Sequence, residues 1–250
     1  MEESSSDRQS ALFFRIFPVL VLGFAGGFFD SYTYVARGGV FCNAQTSNLL
    51  LMILGLASGR GVSSFRYLVP VAFFVVAIFL ENLTSRVAYR QAKRKGTDPD
   101  TAEFFYHLAV LVTEILFLTA VGLIPVSFPD ILPNALVSSV AAMQFNAFRT
   151  MRGIPLSTVF CTNNLRMFSG HVFSAVADHD KSSLKKAGKY LLFILFFLIG
   201  VTAGYFLTVW TMQYAILFIS ALFALLCLWA LCARRAVLRS APAASEFSAE

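Results

Sequence analysis

Polar residues in this chain gather in clusters, and the apolar runs between them are about 17–25 residues long, the length an α-helix needs to cross a hydrocarbon core. Six membrane units follow from that pattern. The first is interrupted: an apolar run at 12–29, an irregular stretch at 30–43, then a short helix at 44–58. The second spans 67–85 and the third 104–124. The fourth is interrupted again, with 131–148, an irregular stretch at 149–158, then 159–177. The fifth and sixth cover 190–209 and 212–232. Residues 1–11 and 236–250 read as disordered tails. The expected fold is all-α, a polytopic membrane helix bundle.

Composition sharpens this picture. The chain is 57% apolar and only 14% charged, where a soluble domain carries roughly a quarter charged residues. The net charge of +6 does not indicate nucleic acid, because the basic residues lie at helix ends, where they set topology and meet anionic lipid. The segments "SRVAYRQAKRK" (85–95), "KSSLKKAGK" (181–189) and "ARRAVLR" (233–239) would all be inside, against Arg60 and Arg66 outside. A multi-pass protein with both termini cytoplasmic follows.

A shift of 116 positions aligns the two interrupted units. Thr46, Asn48 and Leu49 fall on Thr162, Asn164 and Leu165, and Asp30 falls on Asn146. Three units separate the copies, which predicts inverted repeats at 12–125 and 126–235, each opening with a broken helix. The breaks have local causes in "ARGGV" (36–40) and "RGIP" (152–155). Backbone uncovered at membrane depth must be buried in protein or line a wet cavity. The threonines and asparagines are expected to cap the half-helices that start there.

Several polar residues are candidates for the solute site: Asp30, Gln45, Thr46, Asn48, Gln144, Asn146, Thr162, Asn164 and Arg166. An intramembrane arginine suits a carboxylate or phosphate. Asp30 and Glu114 are the proton-coupling candidates; alternatively Asp30 pairs with Arg37, and Glu114 with Arg166 or Arg149. Glu81 and Asn82 are expected to reach lipid headgroups. The spacings Gly23/Gly27 and Gly200/Gly204 allow close helix approach, within the chain or across a homodimer. Neither the three histidines nor the four cysteines have metal-ligand spacing, so no cofactor is expected.

The stretch "GFAGGFFDSYTYVARGGVFCNAQTSNLLL" (23–51) resembles the YoaK-like family of membrane proteins, with its Gly-Gly-x-x-Asp followed by Phe-x-x-x-x-Thr-Gly-Asn. A weaker second copy is "AAMQFNAFRTMRGIPLSTVFCTNNL" (141–165). Ser47 and Asn163 stand where that family has glycine. The resemblance implies a six-span fold and a kinship with small-molecule transporters, with Gly26, Gly27, Asp30, Thr46, Asn48, Gln144 and Thr162 at the motif positions.

The expected function is a secondary transporter or channel-like carrier of a small polar or anionic solute, bound at the two broken segments. Membrane lipids and that solute would be its partners. The alternatives are a non-transporting scaffold or sensor, and an intramembrane lipid enzyme. The chain contains no GxSxG or HExxH, so no enzymatic activity is expected.

Overall fold

The computed structural model describes residues 12–151, 153–159 and 161–240, and these are almost entirely helical. Helix α1 (Ile16–Ala36) is followed by a loop and the short α2 (Gln45–Ala57). A 3-10 segment, Gly61–Tyr67, leads into α3 (Leu68–Arg94). Then come α4 (Pro99–Leu123) and α5 (Ile131–Ala147). Beyond α5, a two-residue antiparallel pair, β1 (Thr150–Met151) and β2 (Ile154–Pro155), precedes α6 (Cys161–Ala177). The chain ends with α7 (Lys181–Thr211), a 3-10 turn at Met212–Ala215, and α8 (Ile216–Ser240).

Four stretches among the described residues are long and apolar enough to cross a membrane: 16–36, 61–94, 99–123 and 181–239. The last comprises both α7 and α8, and these long apolar helices are compatible with a multi-pass membrane protein. Several boundaries differ from the sequence expectation. Helix α1 continues through Asp30 to Ala36, because its polar side chains find partners without unwinding the backbone: Thr33 Oγ1 donates to Phe29 O at 3.0 Å. The second unit extends to Arg94 and the fifth begins at Lys181. Asp180 caps α7 by accepting from the Ser182 and Ser183 amides at 2.8 and 3.1 Å. Residues 236–240, expected to be tail, belong to α8. The rest of that tail, and the N-terminal one, lie outside the described residues.

Packing interleaves the two halves. Helix α1 lies mainly against α7, α3 against α5, α4 against α8, and α6 against α7, while α2 meets the 3-10 segment and α3. The α1–α7 crossing is set by small residues. A side chain on Gly27 would meet the Phe197 carbonyl, and one on Gly200 the Phe24 carbonyl. Gly23 makes room for the Phe193 ring, and Gly204 sits against Phe28 and Ser31. The main core lies between α1, α4, α5 and α8, with Phe28, Phe29, Leu111, Val140 and Phe223 buried there.

The two ends of the bundle are distinct. At one, Phe13 meets Phe104, Phe17 meets Trp229, and Arg234 lies over the Phe104 and Phe105 rings at 5.2 and 4.8 Å. At the other, Arg37 is fully buried and closes α4. It donates to the carbonyls of Val121 (3.2 Å), Ile124 (2.6 Å) and Pro125 (3.2 Å), and to Tyr32 Oη (3.1 Å). Asp130 lies 3.8 Å from its guanidinium. A cation on the open carbonyls of a helix C-terminus is favourably placed. Asp30 is therefore not Arg37's partner.

Candidate functional site

Two loops reach the middle of α1. In the first, Gly38 and Gly39 adopt φ of 80° and 72°, a left-handed conformation that turns the chain back after Ala36. The returning strand brings Asn43 onto α1: its amide donates to Asp30 Oδ1 at 2.9 Å and its Nδ2 to the Gly26 carbonyl at 2.6 Å. Cys42 Sγ stands 3.5 Å from the same carboxylate oxygen. Asn48, in the first turn of α2, holds this loop. Its Oδ1 accepts from Phe41 N at 3.0 Å, and its Nδ2 donates to Phe41 O at 2.5 Å and to Gln45 Oε1 at 3.0 Å. Gln45 Nε2 in turn donates to Cys42 O at 2.6 Å.

The second loop, between α5 and α6, is held in the same manner. Asn164 Oδ1 accepts from Ser157 N at 3.2 Å, and Asn164 Nδ2 donates to Ser157 O at 2.8 Å. Thr158 Oγ1 donates to Gln144 O at 3.3 Å, and Gln144 Nε2 crosses to Leu22 O on α1 at 3.0 Å. Gly26 lets this loop come close, since a Cβ there would stand 2.7 Å from the Thr158 carbonyl.

Capping is not what the asparagines do. The residue preceding α2 is Ala44, which offers no side-chain cap, and Asn48 turns back onto the loop because Phe41 presents it with both a donor and an acceptor. Thr46, Thr162, Asn163 and Arg166 are exposed on the helix surfaces. Arg166 meets Asn163 Oδ1 at 3.4 Å and Met167 Sδ at 3.7 Å, and Arg149 donates to Asn146 O at 2.6 Å, so neither reaches Glu114. Glu114 is fully buried on α4, and neither carboxylate oxygen has a hydrogen-bond partner among the described residues.

Two cavities flank this centre. One, of about 360 Å³, lies where α3, the start of α4 and the end of α5 meet. Glu81, Tyr89, Tyr106, His107 and Asn146 line it. Glu81 is 6% exposed; Tyr106 Oη donates to its Oε1, and its Oε2 has no partner among the described residues. Asn146 Nδ2 donates to Asn82 Oδ1 at 3.1 Å. The other cavity, of about 540 Å³, lies between α1 and α7 and is lined by Asp30, Ser31, Tyr34, Phe41, Val201 and Tyr205, among others.

The structure thus unites Asp30, Gln45 and Asn48 around the first loop, and Gln144 and Asn164 around the second, while Asn146 joins the far cavity. Sequence reasoning missed Asn43, Tyr106 and His107, and gave Glu81 to the headgroups. Only the Asn43 position, beside the Phe-Cys pair, carried a local signal.

Neither the curated proteins nor the solved structures include a match to this chain. A family model described as "Protein of unknown function (DUF1275)" matches residues 19–229. That stretch covers both loops, every candidate residue and all of the cavity lining except Phe14, and the chain belongs to the DUF1275 family.

Proposed function

We propose that this protein is a secondary transporter or channel-like carrier of a small polar solute, built from two inverted three-unit repeats whose first units are broken helices. One observation carries the reading: the Asn48–Phe41 clamp and the Asn164–Ser157 clamp are the same two-bond arrangement, 116 positions apart at both partners. The packing agrees. Exchanging α1 with α5, α2 with α6, α3 with α7 and α4 with α8 turns the α1–α7 contact into α5–α3, the α2–α3 contact into α6–α7, and leaves α4–α8 unchanged. Non-helical backbone that meets at the centre of such a bundle is where transporters place solutes. Arg166, which suggested an anionic solute, faces outward, so the polar solute is the stronger reading.

The clusters at 86–95, 181–189 and 234–239 stand at the end of the bundle where α1 begins, which supports a cytoplasmic orientation for that end. Ser85 lines one cavity and Val201 the other. In a chain with its native cysteines replaced, Ser85→Cys should react with a membrane-impermeant thiol reagent only from the cytoplasmic side, and Val201→Cys only from the opposite side. Labelling of both from one side would refute the inverted arrangement. Flux of polar solutes into liposomes carrying the protein, absent from empty ones, tests transport itself.

A further inference from the structure

The two cavities are related by the same shift that relates the two clamps. Adding 116 carries Glu81 to Phe197, Ser85 to Val201 and Tyr89 to Tyr205, and carries Asp30 to Asn146, Ser31 to Ala147 and Tyr34 to Thr150. Six of the eight residues lining the α1–α7 cavity thus have their counterpart lining the other. The lining positions are repeated, but the acid has moved. One cavity has its carboxylate on α3, the buried Glu81, and the other on α1, the half-buried Asp30; Phe197 stands at the position of Glu81 and Asn146 at that of Asp30.

What the two share is chemistry. Each surrounds a carboxylate with aromatic faces: Tyr89 and Tyr106, 5.6 Å apart, beside Glu81, and the stacked Tyr34 and Phe41, 5.2 Å apart, with Tyr205 beside Asp30. None of Asp30, Glu81 and Glu103 forms an ion pair with a described residue. Arg149, the basic residue lining the α3–α5 cavity, is held by Asn146. Counting Glu81, Glu103 and Arg149 in one and Asp30 in the other, each cavity has the same formal charge of −1. Aromatic faces around an unpaired carboxylate recognise an ammonium group, through the ring quadrupole and the opposite charge together.

We propose that the two cavities are the opposite vestibules of one pathway, and that the group they recognise is an amine or quaternary ammonium. This rests on the carrier reading and supplies its solute class. The ammonium could be a free solute or a lipid headgroup, since an apolar groove between α3 and α4 adjoins the first cavity at Glu81 and Tyr106.

The test uses the full chain purified in detergent and compares choline with its uncharged isostere 3,3-dimethylbutanol and with the 3,3-dimethylbutyrate anion, by calorimetry and thermal shift. Choline, tetramethylammonium or ethanolamine should bind, with the isostere and the anion at least about tenfold weaker. Glu81→Gln and Asp30→Asn should each weaken binding about tenfold, and the double variant should lose it while melting like the parent. If the soluble cations do not bind but phosphatidylethanolamine stabilises the protein relative to phosphatidylglycerol, the headgroup is the ligand. Equal binding of the isostere, an unaffected double variant, or no response to any soluble cation or to phosphatidylethanolamine overturns the proposal. Flux separates the two levels. Carboxylate-dependent cation binding without flux in liposomes sinks the carrier and leaves the recognition standing, whereas flux of a neutral or anionic solute that these cations do not inhibit does the reverse.

Discussion

Replacing Asn48 by alanine should destabilise the protein by about 2–5 kcal/mol. The side chain satisfies two backbone groups of Phe41, its N–H at 3.0 Å and its carbonyl at 2.5 Å, and meets Gln45 Oε1 at 3.0 Å. Gly38 and Gly39 turn the loop away from the α1 ladder, so those groups do not rejoin it. Leaving a buried polar group without a partner costs about 1–3 kcal/mol, and two are orphaned at once. For a chain of this length a loss of that size lowers the melting temperature by about 5–15 °C. Asn164→Ala should cost as much or more, because Ser157, whose N–H and carbonyl it holds, is buried while Phe41 is half-buried. Thr46→Val, two residues from Asn48 but exposed, should change stability by no more than about 0.5 kcal/mol. Melting curves of the three variants in one detergent decide the matter. Should Thr46→Val fall as far as Asn48→Ala, or both asparagine variants melt within about 2 °C of the parent, the clamps do not hold the loops.

Three further outcomes follow from the packing. Gly27→Ala and Gly200→Ala should each cost about 1–3 kcal/mol, since either Cβ would enter a backbone carbonyl of the facing helix; denaturation in detergent measures it, and a neutral result would mean that the α1–α7 crossing is looser than described. Arg37→Ala should cost about 3–5 kcal/mol, leaving the α4 carbonyls and Asp130 without their cation, and Arg37→Lys should recover only part of that, because one ammonium cannot reach all four acceptors; full recovery would show that charge alone suffices. Asp180, whose carboxyl is held below its ordinary value by the Ser183 and Ser182 bonds, contributes stability that is present above its unfolded pKa and lost as pH falls through the lower folded one. Stability measured from pH 6 to pH 3 should therefore fall less steeply in Asp180→Asn, and parallel profiles would rule out the cap.

Apolar run length made the long helices legible, because burial of a membrane helix needs little beyond hydrophobicity over sufficient length. Glycine and proline also pointed to the loops that follow α1 and α5. The placement of those loops was not legible. Asp30 reads as a helix terminus, yet its carboxylate is taken up by the amide of Asn43, thirteen residues later, and the helix runs on beneath it. Thr46 and Asn48 look alike as polar residues in one tripeptide, but two positions on a helix differ by about 200° of rotation, so one faces out and the other faces the loop. The burial of Glu81 gave no local sign because its partner, Tyr106, lies on another helix. The cavities depend on meetings between helices far apart in sequence, and no local pattern encodes those.

The exchange of partners between the halves has a consequence for biosynthesis. The glycine face of α1 fits against α7, whose residues leave the ribosome only after more than half of the chain has been made. Until then Gly23 and Gly27 lack the helix they pack against, and α3 likewise waits for α5. The first half has contacts of its own, α2 with the 3-10 segment and α3, and α3 with α4, but α1 and α3 meet their main partners only in the second. A ribosome stalled before α7 would leave in the bilayer a chain with its spans in place and its centre unbuilt, a ready substrate for membrane quality control.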